Sequence, residues 1–219
     1  MAYPPVEPGP PEAIYLDHAA TTPLRPEVAE AIALAAARAF ANPSSPHAAG
    51  RRAKQVLEDA RERILTLLGG HAAGRERDRL VFTSGATEAN RLGILGTAEG
   101  RPGLILCSAR DHLSIRSAAS ERAGQGWIMA DVPLAATGSL DSESLTMLLD
   151  QTTPGPRLMA VTLVCGQTGI CEDIAAVATE KARRPGLMVH ADATQTAAWE
   201  PLDLAGSPFT TATLAPHKF

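Results

Sequence analysis

From Pro26 to the last residue, stretches with apolar residues at helical spacing alternate with short apolar runs of strand length. That alternation restricts the chain more than any other feature. A helix between two strands carries the chain back to the end where it started, so the strands of one sheet run parallel and the helices cover its faces. Pro26 suits a first helical turn, and Glu27 to Ala41 reads as an Ala-rich helix. His47 to Leu68 reads as a second helix, with Leu57, Ala60, Ile64, Leu67 and Leu68 on its apolar face and Gly69-Gly70 closing it. Strands are expected at Leu80–Thr83, Leu104–Cys107, Trp127–Ala130, Leu158–Val164, Leu187–His190 and Thr210–Leu214. Helices are expected at Glu88–Glu99, His112–Arg122, Ser142–Asp150 and Asp173–Arg183. The fold class is α/β, a mostly parallel sheet with helices on both faces.

Composition supports a packed core and excludes several functions. Of 219 residues, 45% are hydrophobic and 20% charged, which rules out a wholly disordered chain. A net charge of −4 offers no basic field for nucleic acid or anionic lipid. No apolar run reaches the roughly 18 to 20 residues of a membrane span. Cys107, Cys165 and Cys171 form no CxxC pair, so neither a disulfide framework nor a structural zinc site is indicated, and a reduced, cytoplasmic compartment is the natural reading. All three read best as small buried hydrophobes. Residues 1–13 form a Pro-rich arm with no signal-peptide core; residues 14–219 form the domain.

Ligands of parallel sheets bind beyond the carboxyl ends of the strands. Four such ends carry chemistry. Thr83 leads into Ser84-Gly85-Ala86-Thr87-Glu88, a small-residue turn whose N–H groups would cradle an anion, although a plain tight turn explains it as well. The next strand runs toward Asp111-His112. The fifth ends in His190-Ala191-Asp192-Ala193-Thr194-Gln195, where a buried Asp needs a cationic partner; a metal on His190 and Asp192 would lack a third ligand. The sixth ends in His217-Lys218, and a lysine drawn into a pocket there becomes a nucleophile toward carbonyls.

Together these pieces resemble the class V aminotransferases, most closely the NifS-type cysteine desulfurases. The matching text is Tyr15 to Pro23 (YLDHAATTP), Asn42-Pro43-Ser44-Ser45 with His47 and Gly50, Val81 to Glu88 (VFTSGATE), His112, Asp192 to Gln195 and His217-Lys218. The resemblance implies the large domain of the fold type I transferases that use pyridoxal 5'-phosphate (PLP). It implies that Lys218 attaches the cofactor and that Asp192 holds the pyridine nitrogen protonated. Gln195 would meet the phenolate oxygen, and His112 would stack on the ring and move protons. Gly85, Ala86, Thr87 and His217 would hold the phosphate. It implies conversion of L-cysteine to L-alanine, a homodimer, a sulfur acceptor protein and a place in iron–sulfur cluster assembly.

Departures from the pattern are Cys165-Gly166-Gln167-Thr168-Gly169 where desulfurases carry an Asn-rich segment, Ala215 where a phosphate-binding Ser is usual, and Arg91 in place of an Asn. Family members continue beyond their lysine into a further strand, a small domain, a carboxylate-binding Arg and a sulfur-accepting Cys. A chain stopping at Phe219 is therefore expected to be inactive alone, to leave Leu80–Thr83 and Thr210–Leu214 short of a neighbour, and to hold Lys218 loosely, since termini fray unless tied down. The alternatives are a non-catalytic remnant or partner subunit, and a class V aminotransferase or lyase acting on another amino acid.

Overall fold

The computed structural model describes residues 14–219 apart from 76, 152–154 and 198; the Pro-rich arm lies outside the described residues. In chain order the elements are α1 (Pro26–Arg38), α2 (Ala48–Leu67), α3 (Ala86–Thr97), β1 (Leu104–Cys107), α4 (Leu113–Ala123) and β2 (Ile128–Asp131). There follow α5 (Ser142–Asp150), β3 (Arg157–Thr162), α6 (Ile174–Arg183), β4 (Leu187–Asp192), β5 (Thr211–Thr213) and a 3-10 turn at Pro216–Lys218. The strands pair in the order β2-β1-β3-β4-β5, every pair parallel. Ile105 lies beside both Met129 and Leu158, Leu158 beside Met188, and Ala191 beside Ala212.

Side chains alternate across a strand, so a fully buried strand feeds two cores. Leu104, Leu106, Met159, Val161, Leu187 and Val189 point to one face, where Leu145 and Leu149 of α5 and Val177 of α6 cover them. Ile105, Cys107, Leu158 and Ala160 point to the other, under Ile94 of α3 and Ile115, Ala118 and Ala119 of α4. Each of the Leu, Ile, Val and Met side chains contributes about 1.5 to 3 kcal/mol by leaving water. The layering matches the expectation of a sheet covered on both faces.

Two expectations need correction. Leu80–Thr83 is not a strand: it pairs with nothing among the described residues, and Val81 and Phe82 are exposed. An apolar run becomes a strand only where a ladder partner lies beside it. In α2 the buried positions are Gly50, Ala53 and Leu65, whereas Leu67 is 80% exposed. In α1 no residue is buried, although the helix forms as expected from its Pro and Ala content. Helical spacing marks an apolar stripe without saying which part of it another element covers.

Candidate active site

The carboxyl ends of β1, β4 and β5 and the amino end of α3 meet around a cavity of about 310 Å³. Gly85, Ala86, Thr87, His112, Asp192, His217 and Lys218 all line it, together with Asn90 and Thr194. Gln195 does not: its Nε2 donates to the carbonyl of Ala19 at 2.7 Å.

Local rules place each group. Gly85 is the N-cap of α3. Glu88, in the first turn, folds back so that its carboxylate accepts from the Ser84 N–H at 2.6 Å and the Ser84 hydroxyl at 2.7 Å. This is a variant of the capping box, and those two bonds hold Glu88 below its usual range. The first helical N–H groups have no intrahelical acceptor, so this end of α3 presents donors and positive potential to the cavity. His112 is the N-cap of α4 and accepts the Ser114 N–H on Nδ1 at 3.2 Å. The preceding residue, Asp111, is buried and accepts from the Ser108 N–H at 2.6 Å, the Thr162 hydroxyl at 2.6 Å and the Thr162 N–H at 3.1 Å. It thereby locks the turn after β1 to the last residue of β3. Burial pushes its carboxyl upward against those bonds.

Asp192, the last residue of β4, is 2% exposed. Its Oδ1 accepts the Thr194 N–H at 3.0 Å and its Oδ2 accepts Asn90 Nδ2 at 2.9 Å. The same Nδ2 donates to Ser114 Oγ at 3.0 Å, and Asn90 Oδ1 meets His190 Nε2 at 3.1 Å. His190, fully buried, also meets the Thr211 hydroxyl through Nδ1 at 2.8 Å. Burial pushes His190 down to about 4. His190 and Asp192 therefore both spend their bonds on Asn90 rather than converging on a metal.

Lys218 is tied down, contrary to the sequence expectation. The segment after Tyr15 reaches across the end of the chain. The Thr22 N–H donates to the His217 carbonyl at 2.9 Å, and the Thr22 hydroxyl to the Phe219 carbonyl at 2.7 Å. Thr21 adds a bond to the His217 carbonyl at 3.1 Å. Sequence reading passed over Asn90, Ser114 and these threonine bonds. Only the polarity of Asn90 inside an otherwise apolar helical stripe could have pointed to it.

Residues 14–219 match the aminotransferase class-V family. A cysteine desulfurase of Frankia sp. (strain EuIK1) is 36% identical over 216 residues, covering 94% of this chain and 49% of the relative. The cysteine desulfurase IscS of Proteus mirabilis is 33% identical over 211 residues, with 94% and 50% covered. Among solved structures, a NifS-like protein from Rickettsia africae superposes with a TM-score of 0.82 at 30% identity, covering 94% of this chain and 55% of that one. Another NifS-like protein gives a TM-score of 0.84 at 26% identity, again over 94% and 55%. The chain thus spans about half the length of the relatives it matches. With its parallel sheet, its lysine after β5 and its carboxylate at the end of β4 all inside the matched region, the chain belongs to the class V aminotransferase family.

Proposed function

We propose that residues 14–219 are the PLP-binding large domain of a cysteine desulfurase-like enzyme, which converts L-cysteine to L-alanine and passes the sulfur on. The observation that carries this reading is the gathering of Lys218, Asp192, His112 and the amino end of α3 around one cavity.

The donor set fits the cofactor. Asp192 uses two hydrogen bonds on protein donors, and an ionised carboxylate accepts about four. It retains capacity for a pyridinium N–H at the cavity. The amino end of α3, with the Thr87 hydroxyl and His217, supplies donors of the kind that hold a phosphate. Lys218 is the amine within the cavity, whereas Lys181 binds the carbonyls of Pro185 and Leu187. When bound there, PLP supplies an electron sink for charge at the substrate α-carbon. Lys218 would attach the cofactor, and His112, lining the same cavity, would hold or move a proton. Gln195 would have to leave Ala19 to reach the phenolate oxygen.

Among the described residues no cysteine lines the cavity. Cys107 is fully buried, and burial together with the Asp111 carboxylate pushes its thiol up to about 12, so it is not the sulfur acceptor. A homodimer working in the cytoplasm, a sulfur acceptor protein and a place in iron–sulfur cluster assembly belong to the same proposal. No helix among the described residues is long and apolar enough to cross a membrane.

Borohydride reduction with PLP followed by peptide mapping tests the reading. Label is expected on Lys218 and should vanish in Lys218→Ala. Label on Lys54 or Lys181, with none on Lys218, would overturn it.

A further inference from the structure

We propose that Asn90 and Ser114 are positioning residues that hold His112 as the tautomer protonated on Nε2, by transmitting the charge of Asp192 through a directed series of hydrogen bonds. The catalytic use of that tautomer rests on the function proposed above; the tautomer itself does not.

Two fixed groups set the directions of these bonds, the Asp192 carboxylate and the Ser114 backbone N–H. Both Asp192 oxygens accept, Oδ1 from the Thr194 N–H and Oδ2 from Asn90, so the group of Asn90 that faces the carboxylate is the amide NH₂, at 2.9 Å. That choice turns Asn90 Oδ1 toward His190 Nε2, which must carry the proton, and leaves His190 Nδ1 to accept from the Thr211 hydroxyl. His190 is buried and pushed down to about 4, so it has a single ring proton to place. The second hydrogen of the Asn90 amide goes to Ser114 Oγ at 3.0 Å. Ser114 Oγ lies 2.7 Å from His112 Nδ1, and its hydroxyl hydrogen, not needed by Asn90, is available to donate there.

His112 Nδ1 also receives the Ser114 backbone N–H, which cannot reverse its direction. Two donors on one nitrogen leave the neutral ring's proton on Nε2, and His112 is a cavity-lining residue. Asn90 itself is 1% exposed, so all three of its bonds form away from bulk water, where an unmade bond is costly. The network thus presets the ring before any ligand arrives, the condition under which positioned proton transfer is most effective.

The test is ¹⁵N NMR of the histidine rings in the full chain without PLP, with His112 assigned through His112→Gln. The wild type should show Nε2 protonated and Nδ1 shifted as a strong acceptor. Ser114→Ala should lower the Nε2–H to Nδ1–H ratio about fivefold, the equivalent of one ordinary hydrogen bond, and Ser114→Thr should restore it. Asn90→Ala should lower the ratio in the wild-type background and leave it unchanged in the Ser114→Ala background. A dominant Nδ1–H form in the wild type, no change in Ser114→Ala, or equal effects of Asn90→Ala in both backgrounds would overturn the proposal. If Asn90→Ala does not fold, the Ser114 pair decides. Because PLP is absent, failed trapping at Lys218 would defeat the proposed function and leave this result standing, and the reverse also holds.

Discussion

His190 sits between β4 and α3 with no access to water, and an imidazolium there would lose its hydration without gaining an adequate partner. Its pKa is about 4 in the folded chain against about 6.5 when unfolded. Between those values the unfolded state binds more protons, so stability rises with pH through the window. The contribution is complete above about pH 6.5 and is lost as pH falls toward 4. Going from pH 7 to 4.5, this one group should remove on the order of 2 kcal/mol. Asp111, pushed upward by burial, works in the opposite direction but is present in both proteins compared. Urea unfolding at the two pH values should therefore show a smaller pH dependence in His190→Gln than in the wild type. Identical dependence in both would show that His190 takes up its proton without unfolding.

The contact between α3 and β4 sets the second prediction. Gly93 of α3 lies against His190, and a Cβ at Gly93 would fall inside the van der Waals envelope of the imidazole. Helix propensity favours Ala over Gly by about 1 kcal/mol, while overpacking costs about 1 to 3 kcal/mol. The clash should win, because His190 is pinned at both ring nitrogens and cannot move aside. Gly93→Ala should therefore destabilise the chain. Gly96, also in α3, has nothing within 4 Å of its added Cβ, so Gly96→Ala should stabilise. Denaturant midpoints that shift the same way for both would mean that α3 yields at Gly93. The same helix carries Asn90 on its buried side, so its seating on β4 also sets the distance from Asn90 to Asp192.

Across the whole molecule, residues nearly two hundred positions apart join at Lys218. Thr21 and Thr22 hold the carbonyls of His217 and Phe219, while Ala19 holds Gln195. Replacing both threonines by valine removes the hydroxyl bonds and keeps the Thr22 N–H bond. Each bond is exposed and worth about 1 kcal/mol, so global stability should change little. Amide exchange at Lys218 and Phe219 should rise on the order of tenfold, and PLP trapping at Lys218 should fall with it. Unchanged exchange would mean that the 3-10 turn at Pro216–Lys218 holds itself in place.

Much of this molecule was legible in the sequence by itself, namely the kind and order of elements and the strand ends that carry Asp192 and Lys218. Those features rest on short-range physics: apolar periodicity, caps and turn residues act within a few positions. Ser142–Asp150 and Leu104–Cys107 form at the expected residues for that reason. Leu80–Thr83 does not form a strand, since pairing needs a neighbour that no local pattern supplies. Only the tertiary structure decided that Asn90 joins Asp192, His190 and Ser114, that Gln195 turns to Ala19, and that Thr22 holds the end of the chain. Each of those bonds joins residues at least 24 positions apart, and a polar side chain selects its partner by what the packed elements bring within 3 Å, which sequence spacing does not encode.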